Sequence, residues 1–185
     1  MDKLDLLLHP VRIRIVHAMS GGRTRTTQEL CAALPDTSKA TIYRHVALLL
    51  EGGILEVAGE QRVRGAVERG YRLHSTRSTI DRELAATMSL EDHRQAFASA
   101  MSALLADFNA YLGRRHADPF ADLVGYAQVP LWLTREELAK GIAEVQSLIS
   151  NLGNNRPGGG RSLYLFSPIV FPIEAPDGLP EDASQ

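Results

Sequence analysis

The feature that most constrains this chain is the punctuation of residues 4–74, where helix starts and stops fall too close together for anything but short elements. Leu4, Leu7, Leu8, Val11, Ile15, Ala18 and Met19 recur at helical spacing. Pro10 fits only a first turn or a kink, so the main helix starts near Pro10, with one short helical turn before it. GGRTRT is a loop, after which Thr26 or Thr27 caps a second helix, QELCAAL, that Pro35 stops. PDTS is a turn, and Thr37 or Ser38 caps a third helix running to about Glu51 and closed by Gly52-Gly53. Ile54 to Val57 alternates like a strand, GEQRVRGAVERG is a polar tip, and Tyr71-Arg72-Leu73 reads as the returning strand.

Helix, helix, turn, helix, hairpin is the order of a winged helix-turn-helix. In the third helix Ile42, Val46, Leu49 and Leu50 share one face, and Leu55 carries that core into the hairpin. Ser38, Lys39, Thr41, Tyr43 and Arg44 then crowd the outward side of its first two turns. A major groove about 12 Å wide admits one helix, and residues near its N-terminus reach base edges and phosphates. Lys39 and Arg44 can donate to guanine or phosphate, and the hydroxyls to phosphate oxygens. His45 borders the apolar face and is read as structural. Arg62, Arg64 and Arg69 on the hairpin tip are placed to follow a DNA backbone or enter the minor groove. A surface helix with solvated charges would explain the third helix alone. The hairpin arginines, the element order and the charge distribution favour double-stranded DNA.

That distribution is uneven. Residues 1–80 carry a net +4 and residues 81–185 a net −6, which together give the overall −2. Only the first half therefore suits a polyanion. No apolar run reaches the roughly 18 residues a bilayer-spanning helix needs, and the N-terminus lacks a signal-peptide pattern. One cysteine, Cys31, cannot build a disulfide framework. The expected location is the cytoplasm, with Cys31 a small hydrophobe.

From about 79 to 116 the chain reads as helical, interrupted near Ser89, whose Ser-x-x-Asp spacing to Asp92 marks a new N-cap. Phe97, Met101, Leu104, Leu105, Phe108, Tyr111 and Leu112 form its apolar stripe. YAQVPLWL, residues 126–133, alternates like a strand. Thr134 and Glu137 form a capping box ahead of a helix striped by Leu138, Ile142, Val145, Ile149 and Leu152. LYLFSPIVFPIE reads as an edge strand broken by Pro168 and Pro172. The expected fold is α+β: a winged helix-turn-helix over 1–75, then a long helix and a small αβαβ domain over 76–175, and a disordered acidic tail over 176–185.

Two roles suit the second half. The Phe97–Leu112 stripe, with Leu4, Leu7 and Leu8, offers a homodimer seam. The strand face bearing Tyr126, Gln128 and Trp132, closed by Phe108, Tyr111 and Phe166, mixes aromatic bodies with one amide, as sites for small hydrophobic effectors do. The same aromatics serve equally to fill a core.

The stretch LDLLLHPVRIRIVHAMSGGRTRTTQELCAALPDTSKATIYRHVALLLEGGILEVAGEQRVRGAVERGYRL resembles the ArsR-type winged helix-turn-helix of bacterial repressors. The likeness rests on the LxHPxRxxI opening, the QEL, the S-x-x-T-I-x-R-H core and the LxxxGI-LE ending, about 70 residues in all. It implies a homodimer that binds an inverted-repeat operator and releases it when an effector binds. Metal sensors of that family carry Cys-x-Cys after the Glu-Leu, whereas this chain has Glu29-Leu30-Cys31-Ala32-Ala33. A soft metal needs several converging ligands, and the six histidines are scattered, so no metal or other cofactor is expected.

Small-molecule methyltransferases also begin with a winged helix, but a glycine fingerprint follows a strand in their next domain. Here RPGGGR follows a helix and precedes a strand, and no nucleophile, zinc or paired-carboxylate motif stands out. The expected function is a DNA-binding transcriptional repressor, not an enzyme. A regulator controlled by a protein partner, and a small enzyme dimerising through its winged helix, are the alternatives.

Overall fold

The computed structural model describes residues 3–63, 66–74 and 82–174. Helix α1 (Lys3–Leu7) is one short turn, and α2 (Pro10–Met19) starts where the proline predicts. His9 caps α2 with its Nδ1, which accepts from the Val11 amide at 3.2 Å. Arg12 bends back to α1, donating to the carbonyls of Leu6, at 2.6 Å, and Asp5. A guanidinium thus satisfies carbonyls left over at a helix C-terminus. Strand β1 (Arg25–Thr26) leads into α3 (Thr27–Ala33), where Thr26 and Glu29 form a reciprocal capping box. Helix α4 (Lys39–Glu51) is capped by Ser38 and ends at Gly52, followed by Gly53 at a φ of 69°.

Strands β2 (Leu55–Val63) and β3 (Ala66–Leu73) make the hairpin, with a register shift between Val57 and Gly59. The sheet order is β1-β3-β2, all antiparallel. Both strands extend nearly to the tip, further than alternation alone predicts, because polar residues opposite one another still complete the ladder.

The core lies between α1–α4 and the base of the hairpin. Leu6, Ile15, Met19, Leu30, Ile42, Leu49 and Ile54 are almost wholly buried in it. Side chains of this size stabilise the fold by about 1.5–3 kcal/mol each on full burial. Leu7 belongs to this core, which removes it from the dimer seam expected above. Cys31 packs half-buried against it.

Beyond the hairpin, α5 (Arg82–Ala86) precedes α6 (Leu90–Leu112), and the Ser89–Asp92 capping box opens α6 as predicted. α6 packs along α2, with Ala103 fully buried one turn before Asp107. α7 (Arg135–Gly153) opens with the predicted Thr134–Glu137 capping box and buries none of its residues.

The αβαβ expectation for the second half is not met. Residues 126–133 and 163–174 form no strand, and the only pairing there among the described residues is an isolated bridge between Gly158 and Arg161. Alternation describes a strand's two faces but supplies no neighbour to bond to, and Pro130, Pro168 and Pro172 each remove a donor. The tail expected to be disordered, 176–185, and Arg64 lie outside the described residues.

Candidate nucleic-acid interface

The outward side of α4 begins at its cap. Ser38 Oγ accepts from the Thr41 amide at 3.2 Å and lies 2.8 Å from Thr41 Oγ1. Both hydroxyls therefore hold the helix start in shape, and their remaining lone pairs and protons face solvent. Lys39, Tyr43 and Arg44 are exposed on the same side, Tyr43 at 56%. Ile42, Val46 and Leu49 anchor the opposite face. A rigid helix thus presents an amine, a phenol and a guanidinium in two turns, with its partly positive N-terminus toward the same side.

His45 is only 3% exposed, its ring lies 4.4 Å from that of His9, and its Nδ1 has no hydrogen-bond partner. Burial pushes His45 down to about 4, helped by the positive charges of His9, Arg12 and Arg44. His9 is lowered for the same first reason, with Arg12 and Arg44 adding to it. The structural role expected for His45 agrees with this burial.

On the hairpin, Arg62 is exposed. Arg69 is held by Glu60 at 2.8 Å, directly across the ladder, and Arg72 by Glu56 at 2.5 Å in the same manner. The tip cations therefore differ: Arg69 already has an anionic partner, which the sequence pattern did not reveal.

A second group escaped the sequence reading. Arg14, 4% exposed, holds Asp36 with both terminal nitrogens at 2.6 and 2.9 Å and donates Nε to Asp107 at 2.6 Å. The other Asp107 oxygen lies 3.0 Å from His17 Nδ1. Arg14 holds the Asp36 carboxyl below its ordinary range, and Asp36 in turn raises Arg14. This cluster joins α2, α6 and the turn that enters α4. Its only sequence signal is a pair of arginines inside an apolar helix.

The structure brings Phe108, Tyr111 and Tyr126 together, with ring centroids 6.1 Å apart in both the Phe108–Tyr111 and the Phe108–Tyr126 pair. Tyr111 donates its hydroxyl to Asp122 at 2.7 Å. Gln128, Trp132 and Phe166 stand apart in exposed chain, Trp132 at 90%. Among the described residues no group of His, Cys, Asp or Glu is gathered to hold a metal. No helix there is long and apolar enough to cross a membrane.

A family model of a helix-turn-helix domain matches residues 7–58, from the end of α1 into β2. No curated protein matches the chain. Fold, exposed helix face and family match together define a helix-turn-helix domain. The chain carries such a domain at its N-terminus, which points to a DNA-binding regulator rather than an enzyme.

Proposed function

We propose that the chain is an ArsR-type transcriptional repressor that binds an inverted-repeat operator as a homodimer in the cytoplasm. Residues 1–75 read the DNA and residues 76–175 provide dimerisation and effector control. The observation that carries this reading is the N-terminal half of α4. Lys39, Tyr43 and Arg44 stand free on a helix whose other face is locked into the core. Arg44 is the base-reading candidate, Lys39, Ser38, Thr41 and Tyr43 contact phosphate or base edges, and Arg62, Arg64 and Arg69 follow the backbone at the hairpin. The cluster of Phe108, Tyr111 and Tyr126 supports a small hydrophobic effector, for which Gln128, Trp132 and Phe166 are the remaining candidate contacts.

The test is selection of sites from a random DNA pool by the full chain, followed by anisotropy titration. Enriched sites should be inverted repeats with half-site centres about 34–36 Å apart. Arg44→Ala should cost about 1–3 kcal/mol on the selected site. Absence of enrichment, or unchanged binding by an Arg44→Ala, Arg64→Ala double variant, would overturn the assignment.

A further inference from the structure

The chain exposes 14335 Å², whereas a compact monomer of 20.3 kDa exposes about 8,800 Å². Granting the residues outside the described ranges the whole surface of an extended chain accounts for about 3,500 Å² of the difference. Roughly 2,000 Å² per chain then remains, far more than a small ligand covers and within the range of obligate dimers.

Many large apolar side chains are exposed, in the coil at 120–133 and 163–173 and along two helices that match one another. On α6, Leu90, Phe97, Leu105 and Leu112 run along one exposed line. On α7, Leu138, Ile142, Val145, Ile149 and Leu152 alternate four and three residues apart, the spacing of a helix–helix seam. None of these α7 side chains is buried. At 1.5 Å per residue α6 is about 34 Å long and α7 about 28 Å, so one can cover most of the other. Their ends are complementary too: α7 begins with Glu136 and Glu137, and Arg114 and Arg115 follow the end of α6. Laid antiparallel, the two helices would bring acids and bases together and oppose their dipoles. The chain's own α7 does not take this place. Tyr126 touches α6 at Phe108 and Phe171 touches it at Phe97, while the helix between them buries no residue, with Leu138 and Val145 half-buried and Ile142 and Ile149 exposed.

We infer that α7 of one copy lies antiparallel along α6 of a second copy, so that the dimer forms by reciprocal exchange of α7, while Tyr126 and Phe171 stay on α6 of their own chain. This rests on the homodimer proposed above and adds the element that makes the seam. Because α6 also carries Asp107, which Arg14 links to the turn before α4, the exchange would set the recognition helices of both copies against one rigid unit.

The experiment uses the full chain with Cys31→Ser and a cysteine pair at the helix centres, Leu105→Cys and Val145→Cys, treated with a short bis-maleimide. Denaturing gels should show a covalent dimer. Sedimentation of Ile142→Glu, Ile149→Glu, both exposed positions, should show at least a tenfold weaker dimer with the thermal transition of the N-terminal domain retained. A dimeric wild type whose crosslink is confined to single chains, or whose glutamate variant dimerises normally, would overturn the exchange and leave the dimer standing. A monomeric wild type would overturn both.

Discussion

Arg14 and Asp107, 93 residues apart in sequence, meet at 2.6 Å, and the same guanidinium grips Asp36 on its other edge. A buried cation shared by two carboxylates ties α6 to the turn that aims α4. Removing one partner leaves the cation undercompensated, which costs about 3–5 kcal/mol when no other partner remains.

Because Asp36 would still hold Arg14, Asp107→Ala should fall below that range, at about 2 kcal/mol. Arg14→Ala, which takes the cation from Asp36, leaves Asp107 with His17 alone and opens a cavity, should cost more. Urea midpoints at constant m-value report both. Equal midpoints for wild type and Asp107→Ala would show that the bridge contributes nothing to stability.

Gly52 sits where α4 ends against α1. A Cβ built there would stand 2.1 Å from Leu6 Cδ1, so the buried Leu6 side chain would have to shift to admit it. Gly52→Ala should therefore destabilise by about 1–3 kcal/mol through overpacking. Pairing it with Leu6→Ala should recover part of that loss in thermal melts. If Gly52→Ala melts with the wild type, the contact between α1 and the α4 terminus is looser than described.

What could be read in the sequence was local. Thr26 with Glu29, Ser38, Ser89 with Asp92 and Thr134 with Glu137 all cap the helices predicted for them, because a cap needs only neighbours three residues away. What could not be read depended on distant partners. Strand β1 is two residues whose identity as a strand comes from pairing with Tyr71 and Gly70. Arg14 finds its carboxylates 22 and 93 residues away. The alternation in 126–133 is real, yet without a second strand it produced no sheet, and Gln128 and Trp132 were left outside the aromatic cluster they were expected to complete. For the exposed side chains at the start of α4, outward placement followed from the helical period. The pairing of Arg69 with Glu60 required the hairpin register.

That pairing separates the hairpin arginines. Each phosphate contact contributes roughly −0.9 to the slope of log affinity against log salt. Arg62 has no acid placed against it among the described contacts, whereas Arg69 would exchange Glu60 for phosphate. Arg62→Ala should reduce the slope by about one contact, and Arg69→Ala by less. Glu60→Gln should raise affinity for unrelated DNA by freeing Arg69. Identical slopes for the two arginine variants would mean that the ion pair opens on DNA at no cost.

His45 links stability to pH. Its ring lies 4.4 Å from that of His9, and burial holds it near 4 in the folded chain, against about 6.5 when unfolded. Between those values the unfolded chain binds a proton that the folded chain refuses, so stability is complete above about pH 6.5 and falls as pH drops toward 4. One such group changes stability by at most about 1.4 kcal/mol per pH unit. His9 is shifted the same way and adds to the fall. The depressed Asp36 carboxyl acts lower, where its bond to Arg14 is lost as pH drops through its folded value. Urea unfolding at pH 7.5, 6 and 5 should show the decline, and His45→Leu should flatten it without removing the His9 share. An unchanged slope in His45→Leu would show that the ring is protonated in the folded chain after all and that its unpartnered nitrogen is solvated.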